Sequence, residues 1–262
     1  MMVAFQKYQG AGNDFIMIDN RALSFPEKDR QAFIARLCDR HFGIGGDGLI
    51  LMEKHIQTDF EMRYFNSDGH PSSMCGNGGR CAIAYAHKLG IVTDEASFVV
   101  NDALYRGTLK PDGSVALHMQ NVAAVEIYEK HCFTDTGSPH HVEFVDDVHT
   151  VAVLQKGRAI RWGSAYGESG SNVNFVAPLA SNRFAIRTYE RGVEDETLAC
   201  GTGAVAAALA LHTTHRTEAT TIVLKTLGGD LQVSFRKQGK GYSDIVLSGP
   251  AEFVYNGHWF YG

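Results

Sequence analysis

Apolar and polar residues alternate over short stretches along most of the chain. Such runs are FIMID (15–19), DFEMRYFN (59–66), SFVV (97–100) and SVALHM (114–119), then HHVEFV (140–145), FAIRTYE (184–190), TTIVLKT (220–226) and LQVSF (231–235). Period-two alternation rich in β-branched and aromatic side chains predicts strands. The final AEFVYNGHWFYG (251–262) is also strand-like and is expected to return to the first half of the chain. Three stretches carry a helical period instead. In DRQAFIARLCDR, Phe33, Ile34, Leu37 and Cys38 form one apolar stripe, and Gly43 lies just beyond its expected end. A second helix follows Cys75 through RCAIAYAHKL. A third follows Cys200 through the Ala-rich AVAAALALH, a composition that favours helix. Both are apolar enough to be expected in the interior.

Glycines punctuate this pattern in clusters: GAGNDF (10–15), FGIGGDG (42–48), CGNGG (75–79), YGESGS (166–171) and CGTG (200–203). Cys75-Gly76-x-Gly78 recurs as Cys200-Gly201-x-Gly203, an offset of 125 residues. The same offset places Gly12 on Gly137, Asn13 on Ser138, Asp47 on Asn172, Asn66 on Arg191, Ala82 on Ala207 and His87 on His212. One fixed offset through several loops and helices predicts a duplicated α/β (α+β) fold. The expected domains are residues 1–119 and 120–250, with 251–262 returning to the first. Two such halves are expected to face one another across a cleft and to present equivalent loops from opposite sides.

Composition narrows the class. A chain of 262 residues has room for one large domain or two. With 44% hydrophobic and 20% charged residues, disorder is excluded as the dominant state. A net charge of −5 argues against a basic nucleic-acid footprint. No run approaches the roughly 18 apolar residues of a membrane helix, and MMVAFQKYQG lacks the pattern of a secretory signal. Five cysteines, an odd and sparse set, read as reduced thiols of a cytosolic protein. Zinc is not expected, because no Cys-x-x-Cys or His-x-x-x-His pair stands at ligand spacing.

Each repeated cysteine is followed by Gly-x-Gly and then by a helix. Its sulfur therefore sits at a helix N-terminus, where exposed N–H groups and the dipole favour an anion. A thiol there has its pKa lowered. A substrate carboxylate can use the same N–H groups, and glycine lets it approach closely. Placed face to face, one thiolate removes an α-proton while the opposite thiol protonates the other face, inverting the carbon without a pyridoxal cofactor. Charge developing on the carboxylate meets N–H donors already in place. Cys38 and Cys81, within helical patterns, are expected to be packing residues, and Cys132 lacks this context as well.

At these residues the chain resembles the diaminopimelate epimerase family. GAGNDF (10–15), FNSDG (65–69), CGNGGRC (75–81), NVNF (172–175) and YERGVEDETLACGTGA (189–204) match its motifs in order over nearly the whole length. The resemblance implies two similar domains, each a curved sheet or barrel around a central helix, with the site between them. It implies interconversion of LL- and meso-2,6-diaminopimelate without cofactor or metal, by a homodimer of the bacterial cytoplasm serving lysine and cell-wall precursor synthesis, with no nucleic-acid or membrane partner. By motif, Cys75 and Cys200 are the acid/base pair. Gly76-Asn77 and Gly201-Thr202 hold the reacting carboxylate, and Asn13, Asn66, Asn172, Glu190 and Arg191 contact substrate. His140 and Glu190 tune the thiols, and Tyr255 belongs to the dimer contact. Two departures affect the distal end of the substrate. Ser138-Pro139-His140 stands where the family often has Asn-Pro-His, and Gly48 stands where some members have Gln.

Three other readings use the same residues. A proline or hydroxyproline racemase shares the two-thiol chemistry but offers Arg191 no second carboxylate. A thiol hydrolase pairing one cysteine with His140 leaves the repeat unexplained. An amino-acid binding protein needs neither sulfur.

Overall fold

Strand pairing organises the chain into two units, the first running to Leu117 and resuming at Gly249, the second spanning His118–Ser248. The computed structural model describes residues 2–72 and 74–260; Met1, Ser73, Tyr261 and Gly262, the last two closing the expected C-terminal strand, lie outside the described residues.

The first unit contains strands β1 (Met2–Gly10), β2 (Asn13–Asp19), β3 (Gly48–Glu53), β4 (Phe60–Asn66), β5 (Glu95–Val100), β6 (Ala103–Leu109) and β7 (Val115–His118), paired in that order. The β2/β3 and β4/β5 pairs are parallel and the others antiparallel. A parallel pair needs a crossover. Helices α1 (Arg30–Cys38) and α2 (Gly76–Lys88) lie within the two that this unit requires. They explain why every residue of β3 is buried. Leu49 and Leu51 join Ile34, Leu37 and Cys38 of α1 in one apolar cluster. Ile50 faces the other way, toward Gly78 of α2.

The second unit repeats this plan. Its strands are β8 (Glu126–Ile127), β9 (Cys132–Asp135), β10 (Pro139–Phe144), β11 (Asn172–Ala180), β12 (Arg183–Glu190), β13 (Asp195–Thr197), β14 (Thr221–Lys225), β15 (Asp230–Gln238) and β16 (Gly241–Gly249). Pairs β10/β11 and β12/β14 are parallel, and the rest are antiparallel. Helix α3 (Val153–Arg161) lies between β10 and β11, and α4 (Gly201–Thr213) between β12 and β14. At the C-terminus, β17 (Glu252–Phe260) pairs antiparallel with β1.

The central helices α2 and α4 each have 13 residues and begin 125 positions apart. Each buries ten of those residues, because strands surround it. Helix α2 touches β1, β2, β3, β4, β6 and β17, while α4 touches β9, β10, β11, β12, β14 and β15. The mixed α/β architecture and the duplication expected from the sequence are both present. The constant offset fails locally, however. Phe15 pairs with Gly48, whereas His140 pairs with Asn172, so the β10–β11 connection is one residue shorter. The register counterpart of Asn172 is therefore Gly48, not Asp47.

Helix α3, the counterpart of α1, is absent from the sequence-based expectation. VLQKGRAIR carries three basic residues and a mid-helix glycine, which thins its apolar stripe. Gly157 is there for contact: a Cβ would lie 2.4 Å from Tyr189 Cβ and 2.7 Å from Cγ. Two effects therefore oppose one another in Gly157→Ala. Helix propensity favours alanine by about 1 kcal/mol, but overpacking against the buried Tyr189 backbone-proximal atoms costs about 1–3 kcal/mol. Urea unfolding should show net destabilisation, and a gain in stability would show that α3 shifts freely on the sheet.

Candidate active site

Both repeated cysteines occupy the N-cap position of a central helix. Cys75 (φ −104°, ψ 120°) and Cys200 (φ −114°, ψ 112°) are extended, and neither side chain caps its own helix. Their carbonyls accept the first helical bonds, from Gly79 N–H at 2.8 Å and Ala204 N–H at 2.9 Å. The amides of Gly76, Asn77 and Gly78, and of Gly201, Thr202 and Gly203, lie ahead of the helical ladder and face the end of the helix. Cys75 is partly buried and Cys200 is 7% exposed.

Around Cys75, a chain of side-chain bonds has charged ends. The fully buried Arg80 donates from Nη2 to Asn77 Oδ1 (3.0 Å), and Asn77 Nδ2 donates to Asn13 Oδ1 (3.3 Å). Asn13 Nδ2 in turn donates to Asp47 Oδ2 (2.5 Å). A guanidinium only donates and a carboxylate only accepts, so both amide orientations are fixed. Asn13 therefore presents an acceptor, Oδ1, to the Cys75 thiol at 3.6 Å. Asp47 is itself held by Arg40 (2.8 Å), which also binds Asp14, and Lys7 reaches Asp14 at 2.6 Å. Although burial works against ionisation of Asp14, Arg40 and Lys7 hold its carboxyl below the usual range. Arg80 also donates to the carbonyls of Gly76 and Pro250, tying the start of α2 to the chain entering β17.

The neighbours of Cys200 differ. Thr202 Oγ1 lies 3.5 Å from its sulfur and 2.9 Å from His140 Nε2. The other ring nitrogen, Nδ1, is 3.1 Å from Asn174 Nδ2, which also donates to the His141 carbonyl at 2.9 Å. His140 is fully buried, and burial, reinforced by the Arg191 charge, pulls its pKa down to about 3. The imidazole is thus neutral across the physiological range.

Asn172, Glu190, Arg191 and Ser138 also come together in this unit. Asn172 Nδ2 donates to Ser138 Oγ (2.9 Å) and the Pro139 carbonyl (3.1 Å), and its Oδ1 accepts the Arg191 backbone N–H (2.9 Å). The Arg191 guanidinium reaches the Ser169 carbonyl (3.0 Å) and Ser138 Oγ (3.4 Å). Glu190 Oε2 accepts from Thr197 Oγ1 (2.9 Å). In the first unit, Asn66 is exposed at the end of β4, where a turn returns a bond from Gly69 N–H to its carbonyl. Tyr255 lies on β17, edge-on to Phe5. Gly48 has no room for a side chain as the chain stands: a Cβ would lie 2.5 Å from the Phe65 carbonyl oxygen and 2.6 Å from the Tyr64 ring.

The remaining thiols are packing groups. Burial pushes Cys38 and Cys81 each up to about 12, and also raises Cys132. Among the described residues, no group of three or more His, Cys, Asp or Glu side chains is placed to hold a metal ion, and no helix is long and apolar enough to cross a membrane. Arg80 and Asn174 were not singled out from the sequence. Asn174 carried a signal, standing two residues from Asn172 on the same side of a strand. Arg80 carried none, since a helical arginine ordinarily reads as a solvated charge.

A family model for diaminopimelate epimerase matches residues 5–125 and 132–254. The diaminopimelate epimerase of Flavobacterium psychrophilum is 51% identical over 249 residues, covering 95% of this chain and 97% of that protein. That of Chlorobaculum tepidum is 42% identical, covering 95% and 98%. Among solved structures, a Bacillus anthracis phenazine biosynthesis protein of the PhzF family aligns over 100% of both chains with a TM-score of 0.80 at 11% identity. A hydroxyproline epimerase from Agrobacterium vitis covers 98% of this chain and 92% of its own, with a TM-score of 0.70 at 12% identity. These two likenesses concern the fold.

The buried neutral imidazole has a consequence for stability. Between the folded pKa near 3 and the unfolded value of 6.5, the unfolded chain binds the extra proton. Stability present above pH 6.5 is therefore lost as pH falls, by up to about 1.4 kcal/mol per pH unit. Chemical denaturation of His140→Phe at pH 7.5 and pH 5 should show a smaller loss than the parent. An identical loss in both would mean that the ring titrates without coupling to folding.

Proposed function

The chain belongs to the diaminopimelate epimerase family, and on that premise we propose that it is an isomerase interconverting LL- and meso-2,6-diaminopimelate. Cys75 and Cys200 are the acid/base pair. One, as thiolate, takes the α-proton, and the other, as thiol, delivers a proton to the opposite face of the same carbon. One C–H bond breaks and another forms, and turnover leaves the two sulfurs with exchanged protonation states. The observation that carries this reading is the placement of both cysteines as N-caps of equivalent helices. Between the two proton transfers, charge resides on the α-carboxylate. There the amides of Gly76, Asn77, Gly201 and Thr202 act as preorganised donors.

Recognition of the far end of the substrate falls to Asn13, Asn66, Asn172, Glu190 and Arg191. A forked guanidinium suits the distal carboxylate, and Glu190 suits the distal ammonium. His140 and Glu190 tune the thiols. The arrangement Asn172–Ser138–Arg191 supports this assignment, because the hydroxyl of Ser138 and the Asn172 amide brace the arginine.

We also place the enzyme as a homodimer in the bacterial cytoplasm, contributing to lysine synthesis. Exposed Phe253, Val254, Tyr255 and Phe260 on β17 support the first point, and five cysteines outside any disulfide fit the reducing compartment.

Cys75→Ser and Cys200→Ser should each lower turnover by about 10³-fold or more while substrate still binds. Near-normal turnover in either would remove that sulfur from the mechanism. In heavy water, label should enter the α-carbon of product in each direction. Arg191→Ala should weaken substrate binding by about 10- to 100-fold, the value of a charge-assisted hydrogen bond; calorimetry showing unchanged affinity would exclude it from the distal site.

A further inference from the structure

The two sulfurs share a backbone setting but not a side-chain setting. In the first unit, Phe15 of β2 and Ile50 of β3 pack against Gly78, near the start of α2. In the second, the positions matched by strand register are His140 of β10 and Asn174 of β11, and Asn174 packs against Gly203. A Cβ at Gly203 would lie 2.4 Å from Asn174 Oδ1 and 3.3 Å from the Cys200 sulfur. Gly203 is thus the gap that admits an amide beside a thiol. An apolar pair in one unit is a hydrogen-bonding pair in the other.

The direction of those hydrogen bonds can be read from groups that have no choice. The His141 carbonyl only accepts, so the Asn174 nitrogen must face it. Thr188 Oγ1 donates to the remaining Asn174 atom, Oδ1, at 3.0 Å. The same Asn174 nitrogen points at His140 Nδ1, which must therefore accept. A neutral imidazole then carries its proton on Nε2. Nε2–H donates to Thr202 Oγ1, which leaves the threonine's own proton for the Cys200 sulfur. Asn172 Nδ2, 3.5 Å from Nε2, is already committed to Ser138 and Pro139. The charge acting on the ring is that of Arg191, which disfavours a second ring proton.

We propose that Asn174 is a positioning residue that locks His140 as its Nε2–H tautomer, so that the series His140, Thr202, Cys200 ends in a donor aimed at the sulfur. Hydrogen bonding to the charged form stabilises a thiolate at Cys200. Cys75 faces an acceptor, Asn13 Oδ1, which favours its thiol form. The pair is therefore tuned by unlike devices, and the side of the repeat bearing Asn174 supplies the neutral donor relay. This inference rests on the reading of Cys200 as one of the two acid/base groups.

Nitrogen NMR of the unmodified protein tests the tautomer directly. The His140 resonances should show a protonated Nε2 and an unprotonated Nδ1; the reverse would overturn the proposal. Asn174→Asp places an acceptor where the donor was and should shift the proton to Nδ1. Asn174→Leu removes the lock altogether. In both, the pH midpoint of iodoacetamide labelling at Cys200, followed peptide by peptide, should rise by about one unit or more, the value of one hydrogen bond, while that of Cys75 stays in place. Midpoints report ionisation independently of access. At pH 7.5, kcat should fall about tenfold with KM within about twofold, and raising the pH should restore kcat, as the free energy of one pH unit requires. A packing defect would not be rescued by pH. An unmoved Cys200 midpoint in a variant with unchanged circular dichroism would overturn the role of Asn174. If instead Cys200→Ser were fully active, the acid/base assignment itself would fall, whatever the tautomer. If both variants fail to fold, the NMR result on the parent protein decides alone.

Discussion

A helix enclosed by strands can satisfy its backbone everywhere except at its ends. The first turn of α2 and of α4 presents amide hydrogens that the helical ladder does not use. Apolar walls cannot satisfy them, so they must meet water, a capping side chain or an anion. Cysteine is a poor cap, and neither Cys75 nor Cys200 caps its helix. The cysteine side chains thus leave those donors to other partners. The placement of the proposed chemistry follows from this constraint: in each unit, the sulfur, the glycines and the polar partners gather at the N-terminal end of the enclosed helix.

Duplication fixes the backbone but leaves side chains free to diverge. Arg80, in the second turn of α2, is fully buried, while the position 125 residues later is the apolar Val205. His140 and Asn174 answer to Phe15 and Ile50. A buried guanidinium in one unit and a buried imidazole in the other are each costly to enclose, and each is supplied with partners from its own unit. The two units therefore solve the same backbone problem with different chemistry, one with a relay ending in ions and one with a neutral relay.

Much of this was legible in the sequence. The Cys-Gly-x-Gly repeat located both central helices, although α2 and α4 begin at Gly76 and Gly201, directly after each cysteine, and so include the glycines that read as a loop before the helix. The strands with alternating patterns were likewise visible. Helix α3 was not, since Gly157 stands where an apolar side chain would have completed its stripe, and only the approach of Tyr189 explains it. The fixed offset misplaced Asp47 against Asn172, because a one-residue difference in a loop leaves no mark on a local pattern. Asn174 stood within a recognisable motif, but its partners come from β10, β12 and α4. Contacts so distant in sequence have no local signature.

Strand β3 is apolar on both faces, with Leu49 and Leu51 on one helix and Ile50 on another. A strand of that kind loses the usual safeguard against slippage, in which a one-residue shift would drive oily groups into water. Here either alignment would keep them dry. Gly48 supplies the missing safeguard, since the space between the Phe65 carbonyl and the Tyr64 ring admits no side chain at all. Sliding the strand by one would thrust a leucine or an aspartate into that slot, so a residue with nothing to contribute to the core is what keeps the core in alignment.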